Sequence, residues 1–292
     1  MLLYVWLCCA ISLVSGQLQS FYGSDPNIIE LSTANFDRVV HNTNYTTLVE
    51  FYAPWCGYCK QLKNTIHQLG KVSDGVYQVA AVNCDLEKNK QLCSQYGVQG
   101  FPTLMVFKPP KKGSNLKKHA QETYQGERKL APLADFIKSR VKRYVKKIVK
   151  LDNLNKMLQQ SPQYSVVLFS KKDAISPLYK SIALDWLGQL KLFMFPLSQV
   201  NFETATSLQN DYPGIHKQLN DALSKEKSVL VVFDSKNDVA HILSDKITKA
   251  TAAKFIMDST SIKPREGPYS KRDEYLNKLK KKKKTTVQDD EF

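Results

Sequence analysis

The stretch Val49-Glu50-Phe51-Tyr52-Ala53-Pro54-Trp55-Cys56-Gly57-Tyr58-Cys59-Lys60 sets one carboxyl in an apolar run and places a Cys-x-x-Cys pair just beyond it. Thr47 to Tyr52 is β-branched and aromatic, which predicts a strand, and Cys59 to Leu69 has helical apolar spacing at Leu62, Ile66 and Leu69. The two cysteines therefore fall at the mouth of a helix, where unpaired N–H groups and the positive end of the helix dipole favour a thiolate. Cys56 reads as the attacking sulfur. Cys59, one turn in, is near enough to expel a partner bound to Cys56 as a mixed disulfide. Gly57 is expected to let the chain turn tightly between them, and Trp55 to shield one side while leaving the Cys56 sulfur approachable. An ionised carboxyl in an apolar strand carries a strong burial cost, so Glu50 is a candidate proton acceptor for Cys59. The competing reading is an idle carboxyl at an exposed strand position.

Outward from this stretch, strands and helices alternate. Ile28 to Leu31 reads as a short strand, with Ser32 as N-cap of a helix carrying Phe36, Val39 and Val40. Val76 to Asn83 is a strand and Lys88 to Tyr96 is helical. A Gly100-Phe101-Pro102 turn, an apolar run from Thr103 to Phe107 and a helix from Leu130 to Arg140 follow, with one strand unplaced near Glu122 to Tyr124. Such alternation implies a parallel layer. After the basic run Lys138 to Lys150, the apolar segments Ser165 to Phe169, Lys191 to Leu197 and Ser228 to Phe233 repeat the rhythm without a cysteine, among helical stretches at Ala174 to Leu187 and Lys246 to Met257. The 292 residues divide into an α/β domain over residues 24–140, a second over 144–262 and a basic tail over 263–292. Pro264, Gly267, Pro268 and the Lys run between 278 and 284 make that tail read as mobile.

Residues 1–16 read as a removed secretory signal: Met1 to Val14 is almost wholly apolar and Val14-Ser15-Gly16 precedes a polar Gln17, although no Lys or Arg comes before the apolar run. A retained anchor is the competing reading, but a span needs about 20 apolar residues. Removal of Cys8 and Cys9 leaves Cys56, Cys59, Cys84 and Cys93, an even set suited to an oxidising compartment. Asn44-Tyr45-Thr46 is the one Asn-x-Ser/Thr acceptor with an allowed middle residue, open to glycosylation if it lies on the surface.

Phe51-Tyr52-Ala53-Pro54-Trp55-Cys56-Gly57-Tyr58-Cys59-Lys60, with Gly100-Phe101-Pro102-Thr103 some forty residues on, resembles the thioredoxin domain of the protein disulfide isomerase family. The layout is similar to a small fungal member with one redox domain, and Ser165 to Leu187 (SVVLFSKKDAISPLYKSIALDWL) extends the resemblance into the second half. It implies an α/β thioredoxin fold, a central mixed sheet flanked by helices, followed by a cysteine-free thioredoxin-like domain. It implies a thiol–disulfide oxidoreductase and isomerase of the endoplasmic reticulum lumen, without cofactor. Its partners would be unfolded or misoxidised client proteins, a thiol oxidase or glutathione, and other lumenal chaperones. It marks Pro102 as the family's cis-proline, opposite the cysteines, where Phe101 backbone groups hold an extended client segment. Arg128 falls where the family carries a mobile arginine that lowers the second cysteine's pKa. Cys84 and Cys93 would form a structural disulfide like one in fungal relatives, contributing ~2 to 3 kcal/mol for so short a loop; exchange of this pair with Cys56 and Cys59 is a further reading.

Two features depart from the family pattern. Tyr58 stands where the common motif has His, removing an imidazolium that would stabilise the Cys56 thiolate, so the active-site disulfide is expected to be less oxidising. The chain ends Asp289-Asp290-Glu291-Phe292 in place of His-Asp-Glu-Leu, read as a degenerate retrieval signal against an ordinary acidic terminus.

Three other classes compete. Four cysteines suggest a tetrahedral zinc site, but Cys84 and Cys93 have eight residues between them and lack the short second knuckle. A net charge of +15, from 42 Lys and Arg against 27 Asp and Glu, and the runs Lys108 to Lys118, Lys138 to Lys150 and Lys280 to Lys284 suggest nucleic acid, which a secretory route opposes. A client-binding chaperone with little redox turnover is the remaining alternative. Trp186, Phe193, Met194 and Phe195 would be its apolar surface, though such spacing reads better as core.

Overall fold

A computed structural model describes residues 20–110, 118–161, 163–203, 205–224, 227–243 and 245–285, so the apolar leader and the acidic end lie outside the described residues. In the first half, β1 (Ile29–Leu31) leads to a single wide helical turn at Asp37–His41. The helix expected behind Ser32 starts later because Ser32 works through its backbone. Its carbonyl accepts from the Asn35 and Phe36 N–H groups (3.1 and 3.0 Å), while its N–H donates to the Asn35 side chain (2.8 Å). Then come β2 (Thr47–Tyr52), α1 (Gly57–Val72), β3 (Gln78–Asn83), α2 (Glu87–Gln95), β4 (Thr103–Lys108), β5 (Ala120–Thr123) and α3 (Leu130–Ser139). The sheet order is β1-β3-β2-β4-β5. β1, β3 and β2 run parallel, β4 pairs antiparallel with β2 and β5 antiparallel with β4, so the sheet is mixed rather than parallel. β5 is the strand that the sequence left unplaced. It pairs antiparallel with β4 at the sheet edge. Every residue of β2 is buried, as in a strand covered on both faces.

The second half has β6 (Lys146–Lys147), α4 (Leu151–Gln160), β7 (Tyr164–Ser170), α5 (Pro177–Asp185), β8 (Lys191–Pro196), α6 (Thr206–Asp211), α7 (Pro213–Leu223), β9 (Val229–Asp234), β10 (Val239–Leu243) and α8 (Lys249–Thr260). Its sheet, β10-β9-β7-β8-β6, repeats the strand order of the first, and both have the thioredoxin architecture. Ser176 caps α5 by accepting from the Tyr179 N–H, with Pro177 in the first turn, and a reciprocal Thr248–Thr251 box starts α8. Trp186, Phe193, Met194 and Phe195 are all buried, so they form core and not a client surface.

Residues 263–285 do not form the mobile tail expected. Gly267 takes a left-handed φ of 72°, and a Cβ there would fall on the Asp185 carboxylate. This turn sends α9 (Lys271–Thr285) back across the first half, where Tyr275, Leu276 and Leu279 pack on the core that contains Ile29, Phe36 and Phe107. Arg272 donates to the Arg38, Val39 and Asn42 carbonyls (3.1, 2.9 and 3.2 Å), answering the acceptors left open at the end of the Asp37–His41 turn. Arg38 lies 3.6 Å over the Tyr275 ring. Buried Glu266 accepts from the Thr43 hydroxyl and from the Asn44 backbone and side-chain N–H groups (2.8 and 2.6 Å), with Arg272 Nε at 3.5 Å. Asp185 accepts from the Tyr45 hydroxyl and pairs with Lys249 at 2.8 Å, joining the two halves again. Glu266→Ala is expected to leave Arg272, Thr43 and Asn44 without their shared acceptor and to lower stability by about 2 to 4 kcal/mol in urea unfolding.

Candidate active site

β2 ends at Tyr52, and Ala53-Pro54-Trp55 carries the chain to α1, whose N-cap is Cys56. The Cys56 sulfur accepts from the Cys59 N–H at 3.4 Å and its thiol donates to the Phe101 carbonyl at 3.5 Å, so it sits between a helix start and the turn before β4. Cys59 is fully buried and both cysteines are unbonded thiols. Burial pushes the Cys59 thiol up to about 12, with Cys56 and the Glu50 charge adding to the rise. Cys59 therefore needs an acceptor before it can attack.

Glu50 is fully buried, so the reading of an exposed strand position fails. Burial raises its carboxyl to about 7, against the opposing pull of a hydrogen bond from Tyr22 and the charge of Arg128. That bond, from the Tyr22 hydroxyl to Glu50 Oε2, is 2.6 Å long and buried. Tyr22 was missed in the sequence because Ser20-Phe21-Tyr22-Gly23 belongs to no periodic element and its contact lies 28 residues away. Exposed Arg128 donates to the Pro102 carbonyl at 3.2 Å, and the Phe101–Pro102 peptide is cis.

Trp55 and Tyr58, on either side of Cys56 in the chain, are 60% and 69% exposed. The Trp55 indole N–H donates to Asp85 at 2.8 Å and its ring meets Phe101 edge to face at 5.9 Å, which keeps the exposed ring in place. Gly57 has no left-handed φ, and a Cβ there would meet nothing within 4 Å. The chain turns here into the first turn of α1 without a left-handed φ, and open space remains beside the glycine. Lys60 is exposed on α1, its N–H bonded to the Cys56 carbonyl at 3.1 Å. Cys84 and Cys93 are joined as a buried disulfide between the end of β3 and α2. They are therefore unavailable as thiolate ligands, and no group of three or more metal-binding side chains occurs among the described residues. Asn44 is half-buried, its amide nitrogen already bonded to Glu266.

Residues 27–139 match the Thioredoxin family. Protein disulfide-isomerase MPD1 of Saccharomyces cerevisiae is 51% identical over 283 residues, covering 91% of this chain and 88% of that protein. A putative protein disulfide-isomerase of Dictyostelium discoideum is 33% identical over 81% of the chain, which spans about half of that longer protein (53%). The crystal structure of ERdj5 form II superposes with a TM-score of 0.59 at 20% identity, over 82% of this chain and 30% of that one, a likeness of fold. No helix among the described residues is long and apolar enough to cross a membrane. With half its residues identical along nine-tenths of its length to a protein disulfide-isomerase, the chain belongs to the protein disulfide isomerase family of thiol–disulfide oxidoreductases.

Proposed function

We propose that the chain oxidises and rearranges client disulfides through Cys56 and Cys59. The observation that carries this reading is the Cys56 sulfur held between the Cys59 N–H in the first turn of α1 and the Phe101 carbonyl, beside open space at Gly57. The Cys56 thiolate attacks one sulfur of a client disulfide, forming the mixed disulfide and releasing the other client sulfur as a thiolate. That thiolate can attack elsewhere in the client, which is isomerisation. Alternatively Glu50 takes the Cys59 proton and the Cys59 thiolate attacks the Cys56 sulfur, which frees the client as a thiolate and leaves Cys56–Cys59 oxidised. The reverse sequence transfers the disulfide to a reduced client. Phe101 and Pro102 form the shelf for an extended client segment, and Arg128, reaching over Pro102, favours the charged forms of Glu50 and Cys59.

The setting proposed is the endoplasmic reticulum lumen, with residues 1–16 as the removed signal and the acidic end as a retrieval address. Clients are unfolded or misoxidised secretory proteins, and a thiol oxidase or glutathione restores the active disulfide. Residues 24–140 act as the redox domain and 144–262 as its cysteine-free companion. Cys84–Cys93 has a structural role, which its burial favours over exchange with the active pair.

In refolding of a reduced, denatured disulfide-containing protein in glutathione buffer, wild type is expected to accelerate recovery and Cys56→Ser/Cys59→Ser to lose that effect. Equal help from both proteins would make the chain a holding chaperone. Tyr58→His is expected to place an imidazolium beside the Cys56 sulfur and make the pair more oxidising, by on the order of 30 mV in a glutathione titration. An unchanged potential would remove position 58 from the control of redox poise.

A further inference from the structure

We propose that Tyr22 is a positioning residue of this centre, its phenol O–H holding the Glu50 carboxylate charged and oriented to take the Cys59 proton. This rests on the Glu50 role proposed above. The carboxyl has two oxygens in unlike surroundings: Oε2 receives the Tyr22 O–H at 2.6 Å, whereas Oε1 is buried without a hydrogen-bond partner among the described residues. One oxygen is thus tethered and the other left open to a proton. Tyr22 packs in the same core cluster as Cys59, and the sulfur feels the Glu50 charge while the Tyr22 phenol feels the sulfur's.

Tyr22 is fixed on every side. Its carbonyl accepts from the Asp25 N–H (3.0 Å), its N–H donates to the Ser20 hydroxyl (3.2 Å), and its ring meets Tyr52 edge to face at 5.6 Å. The neighbouring phenol, Tyr52, is committed elsewhere, accepting the Phe21 N–H at 3.1 Å and donating to Glu30. The strands on either side of Glu50 present Ala81 and Leu104, neither of which has a polar side chain. From the segment before α3, Arg128 contributes charge to Glu50 but spends its bond on Pro102. Burial and the nearby Glu50 charge hold the Tyr22 phenol far above its ordinary titration range, so it remains a donor at every working pH. A neutral donor on a carboxylate favours the charged form.

Tyr22→Phe removes a single oxygen and tests this directly. Infrared titration of the reduced protein should show one carboxyl band near pH 7 that Glu50→Gln abolishes. In Tyr22→Phe the midpoint of that band is expected to rise by about one pH unit, the size of a hydrogen bond to a charged group. Release of thionitrobenzoate from a mixed disulfide on Cys56 should then slow about fivefold at pH 7, as the ionised fraction falls from about half to about a tenth, and recover above about pH 9. Alkylation of Cys56 should keep its wild-type rate, which shows that the site is folded. An unmoved midpoint in Tyr22→Phe, beside slowed release in Glu50→Gln, would overturn the part assigned to Tyr22 and leave the Glu50 relay standing. Undiminished release in Glu50→Gln would overturn the relay itself, and with it the purpose proposed for Tyr22.

Discussion

Glu50 sits in the middle of β2 with β3 on one side and β4 on the other, where no water-facing surface exists for a charge. Its carboxyl titrates near 7 in the folded chain, and the unfolded chain would release the same proton near 4.5. A raised folded value means that the protonated form is the stabilised one. That contribution is complete below about pH 4.5 and is lost as the pH climbs to 7, a cost of about 3 kcal/mol above that pH relative to a neutral side chain. A domain of ordinary stability can bear this only if the rest of the strand is apolar and closely packed, as Leu48, Val49, Phe51 and Tyr52 are. A carboxyl kept at such cost acts through its charge on the Cys59 thiol, which burial itself pushes up to about 12, and this coupling is what the proposed proton transfer draws on.

The local geometry of the cysteines follows from where β2 stops. Three residues separate its end from the N-cap Cys56, whose sulfur meets the Cys59 N–H, one of the unpaired donors of the helix's first turn. Cys59 faces inward by the same helical spacing that buries Leu62, Ile66 and Leu69. One cysteine therefore keeps slight exposure at the helix mouth while the other is closed in the core, although only three positions separate them.

Patterns that depend on neighbours in the chain were legible: the β2 strand, the face of α1, the Cys-x-x-Cys position, the Gly100-Phe101-Pro102 turn and the alternating elements of the second half. The carboxyl in the strand was legible too, because an acidic residue within an apolar run is conspicuous. What escaped depends on distance. Arg272 reaches the Val39 carbonyl across 233 residues, and Glu266 reaches the Asn44 backbone across 222, so prolines and glycines that locally signal a loose end here make the turns of a folded strap. Tyr22 reaches Glu50 from a segment without periodicity. At Gly57 the turn between the cysteines is the first turn of a helix without a left-handed φ, and the open space beside it could not be read from the sequence.

The cysteine-free half and the returning strap meet the first half at β1, at the Asp37–His41 turn and at the start of β2, and the last of these leads directly to the site. Asn44 and Tyr45, just before β2, take Glu266 and Asp185 as partners, while Cys56 lies beyond the other end. Six residues rising about 3.3 Å each put roughly 20 Å between those ends. The anchoring is therefore distant enough to leave the Trp55, Tyr58 and Phe101 surface open, yet it acts on the strand that holds Glu50. Loosening at Asn44 would not touch the sulfurs directly; it would first free the start of β2, and with it the register that sets Glu50 between Ala81 and Leu104. A companion sheet without cysteines fits this arrangement, because holding one strand end in place asks for burial and ion pairs and not for redox chemistry.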